Sequence, residues 1–234
     1  DIQFGGERND TLYGLDGNDL LYGQSGDDIL AGNDGNDVLV GGKGQDWLNG
    51  GADRDILLSN DAQDTLIGGS GDDILLGGNG DDTLKGQSGN DCMNGESGVD
   101  KLDGGTGQDT LYGGAGNDYL QDGDGGDRLT GGKGNDEFQL GSGRSFLSPS
   151  VITDFEIGSD TIRFTNLGII FEDLTFTDNN GKTEICMNGQ VIAILEGIRA
   201  SDLKAESFRF VNSKLDTDLQ KAFEQALSNS ISPG

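Results

Sequence analysis

The chain has 234 residues, of which 42 are acidic and 15 basic, giving a net charge of −27, and it contains no histidine. That balance argues against nucleic acid as a partner, because phosphate backbones recruit Lys and Arg patches. Without histidine, a zinc site of the usual Cys and His type is excluded, and Cys92 and Cys186 lack the partner a catalytic thiol needs.

From Gly5 to Gln139 the chain is fifteen nine-residue blocks with no insertion or deletion. Numbering each block one to nine, the sixth residue is always aspartate: Asp10, Asp19, Asp28, Asp37, Asp46, Asp55, Asp64, Asp73, Asp82, Asp91, Asp100, Asp109, Asp118, Asp127 and Asp136. The eighth is Leu from Leu12 to Leu129 apart from Met93, and Phe138 closes the series. Such a period marks a repeat architecture in which each block buries its apolar face by stacking on its neighbours. Positions one, two and four are mostly glycine, suited to a loop with positive φ. Positions seven to nine alternate as a short strand does, with position eight inward. Six residues of turn and three of strand, taken twice, predict a coil of 18 residues with strands on opposite sides.

GGSGDDILL, Gly68 to Leu76, is the cleanest block. Its pattern, GGxGxDxUx with U large and apolar, resembles the calcium-binding nonapeptide of RTX (haemolysin-type) proteins. The resemblance implies an all-β, right-handed parallel β-roll (β-solenoid), followed by a small β-rich cap and a C-terminal helix. Stacked coils bring equivalent aspartates about 4.8 Å apart, where unpaired carboxylates repel. A calcium ion, taking about six to eight oxygens, fits between them. By the resemblance, carbonyls at positions one and three of one coil and two and four of the next complete each shell. The carbonyl candidates are Gly68, Gly69, Gly71, Gly77, Gly78, Gly80, Gly104, Gly105, Gly107, Gly113, Gly114, Gly116, Gly131, Gly132 and Gly134. Eight odd and seven even blocks leave 13 gaps between same-side coils. Discounting those beside weak blocks puts the ion count at roughly eight to 13.

Within the array, Arg8 replaces a loop glycine in the first block, and Leu15, Gln24 and Asn33 replace the second glycine of later ones. The pattern is weakest from Gly50 to Ile67, where Asp53, Arg54, Ser59 and Ala62 stand in the loops. Outward positions seven and nine on the even side form an all-apolar strip: Leu20, Tyr22, Val38, Val40, Ile56, Leu58, Ile74 and Leu76. A strip of that size is expected to be covered, by a C-terminal helix, a second chain in a homo-oligomer, or an upstream domain.

The period stops after Gln139, and Ser148-Pro149-Ser150 marks a boundary. Residues 1–144 are read as the β-roll, 145–211 as the cap and 212–234 as an amphipathic tail. Asp154 and Asp160 are either further ligands or turn residues. Strands are expected at Leu174 to Thr177, Thr183 to Met187 and Val191 to Leu195, with Asn179-Asn180-Gly181 and Asn188-Gly189 turning between them. Leu215 to Leu227 reads as a helix with Leu215, Leu219, Ala222, Phe223, Ala226 and Leu227 on one face. By the resemblance this tail addresses type I secretion machinery. No apolar run is long enough to span a bilayer, the longest clear one being Val191 to Leu195. The expectation is a secreted, non-catalytic calcium-binding roll that folds when it meets calcium outside the cell. The alternative is that it serves as the C-terminal module of a larger RTX enzyme, toxin or adhesin. The two cysteines either pair or stay free.

Overall fold

The computed structural model describes residues 1–141, 148–165 and 170–211. Strands recur with the nine-residue period, and from Thr11–Asp16 to Thr110–Ala115 every one is six residues long, twice the expected length. Each starts at position seven but continues through position three of the next block. The cause is the pairing of loop positions two and three within the ladder: Gln24 faces Gly42, and Ser25 faces Lys43. Positive φ at position two therefore bends the strand without ending it.

Successive blocks alternate between two sheets, so each strand lies parallel to the strand two blocks on. Leu21 pairs with Leu39 and Tyr22 with Val40 in one sheet, while Leu30 pairs with Leu48 in the other. Among the described residues the first sheet has 12 strands and begins with Ile2–Gly6; the second has 10. Position-eight side chains from both sheets meet in a single interior layer, and from Leu21 to Phe138 none is more than 1% exposed. The inward assignment of position eight holds throughout. A parallel β-solenoid has no room for a second apolar layer, so one side chain per block carries the core.

Both sheets run on past the repeats. Ser150–Ile152 lies parallel to Arg128–Lys133, and Thr161–Thr165 parallel to Glu137–Leu140. Gln190–Glu196 and Phe208–Val211 then add one parallel strand to each sheet. Leu174–Asn179, Lys182–Met187 and Gln190–Glu196 form an antiparallel meander. Its turns fall at Asn180-Gly181 and Asn188-Gly189, each with φ of 51° and 79°, the paired positive values of the turn that suits a two-residue hairpin. Phe164, Phe171, Phe176, Phe208 and Phe210 cluster at this end, with Phe171 and Phe208 rings 5.5 Å apart.

The apolar strip is present as expected, its eight side chains half-buried against one another. Ile2 and Phe4 lengthen it by one strand, and Phe4 stacks on Tyr22 at 5.2 Å. Cys92 and Cys186 are free thiols. The expected helix from Leu215 to Leu227 lies outside the described residues, and among those described no helix is long and apolar enough to cross a membrane.

Candidate metal centre

The fifteen aspartates form two ladders, one along each edge of the roll. In every one of the 13 gaps the backbone N–H of one aspartate donates to Oδ1 of the aspartate a coil further on. Asp19 to Asp37 is 2.8 Å, Asp46 to Asp64 2.7 Å, and Asp118 to Asp136 2.9 Å. The carboxylate is thus fixed by main chain, and aspartate is the side chain whose short reach makes that bond from a buried turn.

The second oxygen is different. Oδ2 of Asp19, Asp28, Asp37, Asp46, Asp55, Asp64, Asp73, Asp82, Asp91, Asp100, Asp109, Asp118 and Asp136 is buried and has no hydrogen-bond partner among the described residues. Buried acceptors are normally satisfied, and a repeated orphan calls for an explanation. Except in the block of Asp64, where position one is Ser59, each Oδ2 lies over the position-one glycine of its own block, in most blocks beside the position-one carbonyl of the following coil. A Cβ built on Gly14 would sit 2.6 Å from Asp19 Oδ2 and 2.7 Å from the Gly32 oxygen; on Gly113, 2.5 Å from Asp118 Oδ2 and 2.6 Å from the Gly131 oxygen. Gly68, Gly77, Gly104 and Gly131 occupy the same place.

The other glycines turn carbonyls along the axis. Gly69, Gly78, Gly105, Gly114 and Gly132, at position two, have φ between 98° and 120°. Gly71, Gly80, Gly107, Gly116 and Gly134, at position four, have φ between 130° and 154°. A Cβ at any of them would overlap the equivalent carbonyl oxygen of the preceding coil. Carbonyls two and four thus turn into each gap from the coil before it and carbonyl one from the coil after it, the reverse of the order expected, while carbonyl three accepts the position-four N–H of the coil before, as Asp34 does from Gly17. Among the described residues no three His, Cys, Asp or Glu side chains converge; carbonyls supply the remaining oxygens. Hard oxygens without a donor among them match what calcium takes, so the residues present fit the ion.

The electrostatics agree. Burial, opposed by the backbone N–H bond and reinforced by neighbouring aspartates, pushes Asp55, Asp91 and Asp100 up to about 7. Burial likewise raises Asp46, Asp82, Asp109 and Asp136 to about 6. Without a cation these carboxylates hold protons that an exposed aspartate would release.

Two features were missed in the sequence. Position five carries a second ladder running the opposite way, in which the side chain accepts from the backbone of the next coil. Asp27 Oδ1 takes the Gln45 N–H at 2.9 Å, Asp72 that of Asn90 at 2.7 Å, and Asn117 that of Asn135 at 2.8 Å. The recurrence of Asn or Asp at that position, nine times in fifteen, was its visible signal. The ladders also have terminators. Ser150 Oγ takes the N–H of Asp127, and Asp160 that of Asp136, its other oxygen accepting from Glu156. Asp154 accepts from Gly131 and Gly132 through separate oxygens. Asp122, at a position one, is buried, pushed up to about 7 by burial and by Asp127, and bonded to Gly123, Gly141 and Ser150.

Fold and edges together define a calcium-binding parallel β-solenoid built of repeats. The RTX calcium-binding nonapeptide repeat (4 copies) matches at residues 4–39, 31–66, 58–92, 67–102, 94–121, 103–138 and 112–147, more than half of the chain, which belongs to that family. No curated protein matches. Among solved structures the chain is similar to extracellular lipase LipA from Serratia marcescens, at 20% identity and a TM-score of 0.25, covering 90% of this chain and 40% of the lipase. It is also similar to the AlgE6R3 subunit from the Azotobacter vinelandii mannuronan C5-epimerase, at 25% identity and a TM-score of 0.34, covering 68% of this chain and 78% of that one. The chain thus spans two fifths of the lipase's length.

Proposed function

We propose that this chain is a non-catalytic, calcium-responsive folding module that stays open in the low-calcium cytosol and closes into its roll outside the cell. The observation that carries this reading is the row of 13 buried Oδ2 atoms with nothing to accept from. Calcium, when bound, supplies positive charge to both carboxylates of a gap and so joins neighbouring coils. The chain's own part is to hold Oδ1 by backbone N–H, to aim Oδ2 over a glycine, and to turn carbonyls into the gap. Neighbouring gaps share an aspartate, so filling one orders half of the next, and cooperative folding follows. Extracellular calcium modules bind at roughly 0.1 to 1 mM, which places the transition between cytosolic and external calcium. Ligand atoms that are assembled only in the folded chain make ion binding part of the folding free energy.

The ligands are the fifteen aspartates with the glycine carbonyls named above, and the ion count is roughly eight to 13. Export through a type I route, directed by the tail after Val211, belongs to the same proposal. The test is far-UV circular dichroism of the full chain in chelator and in millimolar calcium. A coil-like spectrum becoming β-rich with a steep dependence on calcium is expected. A spectrum that calcium leaves unchanged, or fewer than three bound ions per chain, would overturn the proposal.

A further inference from the structure

Ser59 to Ile67 differs from the other fourteen blocks in having no glycine at all. Position one is glycine in thirteen blocks, and Ser59 and Asp122 are the exceptions. Elsewhere the space over position one is bounded by Oδ2 of the same coil and the carbonyl of the next, with no donor between them. Over Ser59 that space is filled. Its side chain is fully buried, and Oγ donates to the Gly77 carbonyl at 2.6 Å. The carbonyl that other gaps leave free is here satisfied by protein.

We infer that the gap between Asp64 and Asp82 takes no calcium ion, the Ser59 hydroxyl standing where the cation's charge would be needed. This rests on reading the remaining gaps as calcium sites. A serine Cβ occupies volume that a glycine leaves open, and the hydroxyl, which donates to the Gly77 carbonyl, also stands against the Asp64 carboxylate. The outer ladder is interrupted at the same place. Among the described residues no position-five side chain bridges Gln45 to Gln63 or Gln63 to Asp81, whereas Asp27 reaches Gln45 and Asp81 reaches Val99. One edge of the roll is thereby divided into two cation-linked runs, Asp10 to Asp64 and Asp82 to Asp136, joined by ordinary hydrogen bonds.

Calcium bound per full chain is to be counted by isothermal titration and by native mass spectrometry for the parent, Ser59→Gly and Ser59→Ala. Ser59→Gly restores the residue common at position one and is expected to bind one ion more than the parent. Ser59→Ala is expected to match the parent, because its methyl still fills the space. Equal counts in the parent and Ser59→Gly overturn the inference alone. A lower count in Ser59→Gly also overturns it and makes the hydroxyl a ligand. No uptake by any of the three overturns the reading of the other gaps with it.

Discussion

Replacing Leu75 with aspartate is expected to unfold the roll even in saturating calcium, whereas Asp73→Ala should only weaken it. Leu75 is fully buried in a one-layer core, and an unpaired charge there has no partner within reach. Asp73→Ala strips an acceptor from the Asp55 N–H and one carboxylate from two gaps, a loss of about 1–3 kcal/mol for the stranded donor. Thermal melts of the two variants in excess calcium check the order. The same carboxylates set the pH response. Folded, metal-free Asp55, Asp91 and Asp100 titrate at about 7 against an ordinary 3.8, so the folded chain holds more protons than the unfolded one between those values. Metal-free stability is then highest in acid and falls as pH rises from about 4 to 7. The open, metal-free chain ionises its aspartates at the ordinary 3.8, so calcium-induced folding should release hardly any protons at pH 6 or at pH 8, and a large release at pH 6 would mean that the metal-free chain is already folded. Calorimetry in buffers of different ionisation heat measures this. The aspartates and leucines were legible because each recurs at one position; the orphaned Oδ2 was not, since it depends on which oxygen the backbone takes.

Loops that lack glycine show how much the block tolerates. Leu15, Gln24, Asn33, Asn60, Gln87 and Glu96 occupy position two at φ between 71° and 82°, whereas glycines there range above 90°. Side chains pull the backbone toward the left-handed region, which gives clearance from the carbonyl of the coil before. Ala62 sits at position four with φ of 90°. Ala62→Gly should therefore stabilise the folded chain by about 1 kcal/mol, the conformational penalty it removes. Gly71→Ala should destabilise by more, because its Cβ would overlap the Asp53 carbonyl. Chemical denaturation at fixed calcium compares them. Hydrogen exchange at limiting calcium is expected to open Gly50 to Ile67 first. The weakness of these blocks was readable from missing glycines. Strand length was not, because a positive φ looks like a strand end in sequence and proves compatible with pairing. The hairpin turns at Asn180-Gly181 and Asn188-Gly189 were readable from their residues alone, their two-residue geometry demanding φ above zero twice.

At the scale of the whole molecule, the outward strip on the larger sheet runs from Ile2 and Phe4 to Ile74 and Leu76 across five neighbouring strands. Val40→Lys with Leu58→Lys should leave calcium-induced folding unchanged, since neither side chain points into the core, and should reduce retention on a phenyl matrix. Chromatography of both chains in calcium tests it. Fold class and two-sided stacking were legible because alternate blocks must fall on opposite faces. The three strands of the meander were legible as strands; Ser150–Ile152, Thr161–Thr165 and Phe208–Val211 were not, and that these and Gln190–Glu196 extend the two sheets in parallel depends on long-range contacts no local pattern reports. That ending gives the array a parity. Ser150 meets Asp127 on one edge, and Asp160 meets Asp136 on the other. A duplication of 54 base pairs would add one whole coil and leave every later contact in place. One of 27 base pairs would preserve each block's own residues, yet send every later strand to the opposite sheet and exchange the two edges on which the final segment must land. Length change in such a gene is therefore tolerated in even steps of the repeat and resisted in odd ones.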